Sequence, residues 1–139
     1  MPPARLLLDT CAAIWITERA RLSAEAIEAM NAAQRDGEAV LVSPITAWER
    51  GLLASRGRLA SPISPLRWFE RLVSDAKLSV CELTASILVD SSFLPGPIHG
   101  DPADRIIIAT ARALDLMVVT RDRHILDYAA QGHVRALAC

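Results

Sequence analysis

Two stretches of the sequence decide the fold. Asp101-Pro102-Ala103-Asp104-Arg105-Ile106-Ile107-Ile108-Ala109-Thr110-Ala111 is followed closely by Leu116-Met117-Val118-Val119-Thr120. The first reads as a helix running to Leu114, with Asp101 at the N-cap and Pro102 in the first turn. The second is a continuous apolar run with no polar alternation, as expected of a strand buried on both faces. A helix feeding such a strand is half of a βαβ unit, which joins parallel strands.

The same alternation extends in both directions. Leu6-Leu7-Leu8 is a short apolar strand ending in Asp9, and residues 10–17 form a brief helix. Ser23 caps a helix reaching Gln34, Asp36-Gly37 stops it, and Ala39–Val42 is a second apolar strand. Ser43-Pro44 opens a helix with Ile45, Trp48 and Leu52 as its apolar stripe. The Pro-rich joint 61–65 leads into a helix carrying Leu66, Phe69, Leu72 and Val73. Leu78–Cys81 reads as a strand, Ala85–Phe93 as a helix, 124–130 as a short helix and 134–137 as a last strand. The expectation is one α/β domain over residues 1–139, three layers deep, with a central parallel sheet flanked by helices. In such sheets sites form at the carboxyl ends of strands, near a reversal of strand order.

Composition narrows the function. Apolar residues are 52% of the chain and charged residues 22%, which excludes disorder. The net charge of -1 does not announce a nucleic-acid binder, although every basic residue but Lys77 is Arg. Cys11, Cys81 and Cys139 have neither disulfide nor zinc spacing, so a reduced, cytoplasmic setting is expected. Asp9 and Thr10 interrupt the first apolar run, so no signal peptide is expected, and no uncharged run suits a membrane span. His99, His124 and His133 lack metal-ligand spacing, and no Gly-rich phosphate loop or Ser-His-Asp grouping appears.

Four acids stand where burial is costly. Asp9 and Asp122 leave the carboxyl ends of strong strands. Glu49 follows Ile45 by four and precedes Leu52 by three, which puts it on the apolar face of its helix. Asp104 opens the buried stripe of Ile107, Ile108 and Ala111. Each has an ordinary reading as a cap or an ion-pair partner, and Asp101 is best read as the cap. Together they suggest clustered carboxylates, which repel one another unless a cation is present. Oxygen-only donors select Mg²⁺ or Mn²⁺. Such ions position phosphates and stabilise leaving oxygens. Thr120 and Ser43 are candidates to orient a carboxylate, and Arg105, Arg121 and Arg123 to grip a nucleic-acid backbone.

Four motifs in order resemble PIN domains: Leu-Leu-Leu-Asp-Thr at 6–10, Val-Ser-Pro-Ile-Thr-Ala-Trp-Glu at 42–49, Asp-Pro-Ala-Asp-Arg-Ile-Ile-Ile-Ala-Thr-Ala at 101–111 and Val-Val-Thr-Arg-Asp at 118–122. Length and the Asp-Pro-x-Asp-Arg form are similar to VapC-type toxins of toxin–antitoxin pairs. Ala103 stands where the resemblance leads one to expect Phe. The resemblance implies a sheet of about five parallel strands. It also implies Mg²⁺-dependent endonucleolytic cleavage of RNA, with Asp9, Glu49, Asp104 and Asp122 in the functional roles. A cognate antitoxin and a homodimer are implied as partners. An antitoxin segment is expected over apolar surface between the early helices. Trp15, Trp48 and Trp68 are candidate contacts, because a small Ala/Leu core can hardly bury all three. Two alternatives stay open. One is a catalytically silent binding module. The other is an aspartate-nucleophile phosphatase, against which Cys11 stands where a second acid is needed.

Overall fold

The computed structural model describes residues 5–18, 21–59, 61–98 and 100–139, so His99 lies outside the described residues. The elements run β1 (Arg5–Leu8), α1 (Thr10–Thr17), α2 (Ala24–Arg35), β2 (Val40–Val42), α3 (Pro44–Ser55), α4 (Pro65–Asp75) and β3 (Ser79–Val80). They continue with α5 (Ala85–Asp90), α6 (Pro102–Leu114), β4 (Leu116–Thr120), α7 (Arg123–Ala130) and β5 (Arg135–Ala138). The five strands form one parallel sheet in the order β3-β2-β1-β4-β5. The expected three-layer α/β architecture is therefore present.

The layers follow from strand geometry. Successive side chains of a strand point to opposite faces, and each face of this sheet has its own cluster. Leu6, Leu8, Val40, Val42 and Val119 face Ala12 and Ala13 of α1, Ala26 and Ala33 of α2, and Phe69 and Leu72 of α4. Leu7, Leu41 and Val118 face Ile107, Ile108 and Ala111 of α6 and Ile125 and Tyr128 of α7. The alanines let these helices lie close to the sheet. The link from α6 to β4 is one residue, Asp115, held at φ 56. Asp tolerates that left-handed turn better than most residues.

Two expectations need correcting. The helix read over 85–93 stops at Asp90, where the Ser91 amide bonds the Ile87 carbonyl at 3.0 Å and the Ser91 hydroxyl donates to the Leu88 carbonyl. On α3, the fully buried residues are Thr46 and Arg50, while Trp48 of the expected apolar stripe is 51% exposed. The helix packs between α4 and α6 rather than flat on the sheet, so hydropathy alone misjudges its inner face. Trp68 is buried, whereas Trp15 is partly exposed.

The topology locates the site. From β1 the chain moves outward to β2 and β3, then returns to the other flank for β4 and β5. Strand order reverses between β1 and β4, so loops leaving their carboxyl ends diverge and open a crevice there. Asp9 follows β1 directly, and Thr120 ends β4.

Candidate active site

Asp9 is 1% exposed at the end of β1. Its amide bonds the Val119 carbonyl of β4 at 3.2 Å. Its Oδ1 accepts from the Ala12 amide at 2.7 Å, capping α1, and its Oδ2 accepts from the Thr120 hydroxyl. Burial holds this carboxyl up, at about 6, with the charges of Asp104 and Asp122 adding and the Thr120 and Ala12 bonds opposing. Thr120 Oγ1 also accepts from the Asp122 amide at 2.9 Å, and Asp122 Oδ1 caps α7 by accepting from Ile125 at 3.1 Å. One hydroxyl thus ties Asp9 to the loop carrying Asp122.

Glu49 is half-buried on α3. The Thr10 hydroxyl donates to Glu49 Oε1 and lies 3.0 Å from the Thr46 hydroxyl. Burial raises the Glu49 carboxyl to about 7, helped by the charges of Asp104, Asp101 and Asp9 and opposed by Thr10. Sequence reasoning missed Thr10 and Thr46. The available clue was spacing, since Thr10 adjoins Asp9 and Thr46 sits three before Glu49 on the same helical face. Ser43, fully buried, caps α3 by accepting from the Ile45 amide at 3.1 Å and meets the Cys81 side chain. The hydroxyl on Glu49 is that of Thr10.

Asp101 and Asp104 divide as cap and half-buried acid. Asp101, exposed, accepts from the Asp104 amide at 3.1 Å. Asp104 is half-buried, and its charge acts on Asp9, on Glu49 and on the Cys11 thiol. Cys11 shows the convergence most directly. The residue is exposed overall, yet its thiol is pushed up to about 12, by desolvation and then by Asp9, Asp104, Asp122 and Glu49. All four acids therefore act on one place.

Whether they suit a divalent cation depends on the ion. Among the described residues, no three His, Cys, Asp or Glu side chains stand close enough to hold a metal directly. Mg²⁺ does not need such a cage, because it keeps several waters and takes one or two protein carboxylates. An all-oxygen set of carboxylates is the donor chemistry that suits that ion.

The candidate arginines differ in how they are engaged. Arg105 Nε donates to the Ser91 carbonyl at 2.9 Å. Arg121 Nε donates to the Cys139 carbonyl at 2.7 Å, its Nη2 to the Arg21 carbonyl, and its guanidinium lies 3.9 Å over the Trp15 ring. Arg123 is exposed at the start of α7. Arg50, the residue after Glu49, turns away from the acids and lies 4.4 Å over the buried Trp68 ring.

A separate groove lies on the other side of the early helices. Ile16, Leu22, Ile27, Met30 and Leu78 line about 350 Å³ of it. An adjoining recess of about 390 Å³ shares Ile16 and Ala76 and includes Ile63, Trp68 and Leu72. Trp48 lies on neither.

Comparison with known proteins agrees with this architecture. The PIN domain family model matches residues 6–131. Ribonuclease VapC22 of Mycobacterium tuberculosis is 33% identical over 124 residues, covering 88% of this chain and 91% of that protein. A chain from the crystal structure of VapBC2 from Rickettsia felis, bound to a DNA fragment from their promoter, superposes with TM-score 0.67 at 14% identity, over 96% of this chain and 97% of that one. One from DNA-bound VapBC of Salmonella typhimurium gives 0.64 at 18% identity, over 97% and 98%. The family match over nearly the whole chain and the relative one-third identical to it lead to one conclusion: the chain belongs to the PIN domain family.

Proposed function

We propose that this chain is a Mg²⁺-dependent endoribonuclease and the toxin of a toxin–antitoxin pair. The observation that carries this reading is the gathering of Asp9, Glu49, Asp104 and Asp122 about one place at the reversal of strand order, where burial and neighbouring acids raise the carboxyls of Asp9 and Glu49. A buried group of like charges destabilises a fold unless something positive joins it. The likeness to a named ribonuclease supports RNA as the polymer. Mg²⁺, when bound, neutralises phosphate charge, acidifies the attacking water and stabilises the leaving oxygen. Asp9, Asp104 and Asp122 would hold it, or Mn²⁺ in its place, directly or through water. Thr120 keeps Asp9 oriented and Thr10 keeps Glu49 oriented, as outer hydrogen bonds commonly do for metal ligands. Glu49, whose carboxylate receives the Thr10 hydroxyl, would bind a second ion or take a proton from the attacking water. Arg105, Arg121 and Arg123 are the candidate backbone contacts.

The purified protein, stripped of any partner, is expected to cleave single-stranded RNA with Mg²⁺ or Mn²⁺ and to be silenced by EDTA. Cleavage indifferent to chelation would remove the metal-dependent mechanism.

The antitoxin partner is supported by solved VapBC complexes of the same fold and by the apolar groove at Ile16, Ile27 and Met30. An amphipathic antitoxin segment suits it, since such segments bury an apolar face in a groove of this kind. Ile27, on α2, is 44% exposed, which is a cost unless a partner covers it. Ile27→Glu with Met30→Glu is expected to weaken capture of the cognate antitoxin at least about tenfold while RNA cleavage persists. Unchanged antitoxin affinity on titration would place the interface elsewhere. A homodimer and a cytoplasmic location belong to the same proposal. Among the described residues, no helix is long and apolar enough to cross a membrane.

A further inference from the structure

Trp48 is 51% exposed, yet it is not on a flat surface. It borders a recess of about 380 Å³ between α3 and the first turn of α6. Leu52 and Pro102 line the same recess, and so does Glu49, which makes it continuous with the acids. The size lies within the range of small-ligand sites, about 300–1,000 Å³.

We propose that this recess receives one unpaired nucleobase of the RNA, next to the scissile phosphate, stacked on Trp48. Trp48 is then a residue that determines specificity rather than a catalytic one. The inference rests on the ribonuclease reading of the acid site.

Three features favour a base over other occupants. An exposed indole is a stacking platform for the π-face of any base, worth most when the base is unstacked from its neighbours. Asp101, exposed on the same wall, repels a phosphate but can accept from the N–H groups on a base edge, so the neutral part of the nucleotide suits this wall. Arg56, exposed on the rim just beyond the end of α3, is placed for the next phosphate along the strand. In a duplex the bases are already stacked and paired, so the recess selects single strands. Trp48 and Glu49 both line the recess, so a base seated here belongs to a nucleotide beside the reacting phosphate.

The test compares wild type with Trp48→Phe and Trp48→Ala on a single-stranded RNA of mixed sequence. Trp48→Ala should lower kcat/KM at the preferred sites by about 5- to 100-fold and flatten the base preference beside the cut. Trp48→Phe should keep most of both. An abasic nucleotide at that position should slow the wild type but not Trp48→Ala, because the two changes remove one interaction. A readout independent of cleavage uses the Trp15→Phe protein, in which Trp48 is the exposed tryptophan. A short single-stranded oligoribonucleotide, added with Ca²⁺, should quench its fluorescence, and the oligonucleotide with an abasic nucleotide should quench it less. Quenching without cleavage by any variant overturns the ribonuclease reading and leaves the base recess standing. Cleavage with an unchanged pattern in Trp48→Ala, or no quenching, overturns the recess. Trp48→Ala turning a dimer into a monomer with base preference intact also overturns it, and assigns the surface to a second copy of the chain.

Discussion

Asp104→Asn is expected to slow RNA cleavage by on the order of 10²–10³-fold while leaving the metal-free protein as stable as before, or more so. Asp104 adds to the charge burden on both Asp9 and Glu49, so removing its charge relieves both. The same change takes a donor from the ion and should cost on the order of 10²–10³-fold in rate, as when one preorganised charge-stabilising group is lost. The stabilisation that Mg²⁺ provides through linkage should shrink as well. If Asp104 served only the dipole of α6, Asn would lower stability by roughly 0.3–1 kcal/mol and activity would survive. Asp101→Asn is the control. Its Oδ1 caps α6 through the Asp104 amide, and Asn caps as well as Asp, so most activity should remain. Thermal melts with and without Mg²⁺, beside a cleavage assay, separate these outcomes. An active Asp104→Asn with a dead Asp101→Asn would assign the metal-binding role to Asp101 instead.

Without metal, the protein is expected to lose stability as pH rises from about 4 to about 7, the window set by the raised carboxyls of Asp9 and Glu49. Both hold their protons more tightly folded than unfolded. As pH rises through that window the unfolded chain releases its protons first, so unfolding becomes easier. The advantage is complete below about 4 and gone above about 7. For Asp9, moved from 3.8 to about 6, the loss is on the order of 3 kcal/mol. Glu49 acts in the same direction, but both feel Asp104, so the two losses are not additive. The ion pairs Arg35–Glu28 and Arg135–Asp115 are largely exposed and weigh little against this trend. Mg²⁺ at about a hundredfold excess over its Kd should restore roughly 2.7 kcal/mol at the upper end. Asp9→Asn, which removes one of the two titrating groups, should make the profile shallower and leave the part due to Glu49. Urea melts at pH 5 and pH 7.5, with and without Mg²⁺, check this. A metal-free protein whose stability rises across that window would show that these acids are not burdened as described.

Much of the fold was legible without coordinates. A parallel strand buried on both faces has no polar alternation, so Leu6–Leu8 and Leu116–Thr120 stand out in the chain. Ser23, Ser43-Pro44 and Asp101-Pro102 mark helix starts because capping is a contact between near neighbours. Asp9 and Asp122 were visible as acids at strand ends for the same local reason. Other features were not legible. The inner face of α3 depends on what packs there, and a helix wedged between α4 and α6 buries Thr46 and Arg50 while it leaves Trp48 at a recess. Trp68 joins the apolar cluster beneath α1 and α4 with Arg50 over its ring, a pairing no spacing rule anticipates. The hydroxyl network is of the same kind. Thr120 reaches Asp9 across 111 positions and Thr10 reaches Glu49 across 39. The elements and the acids at their ends are written in the local sequence, because propensity, capping and apolar runs act over a few residues. Strand order, which acids share one field and which hydroxyls hold them emerge on folding, because burial and charge act through space between residues far apart in the chain.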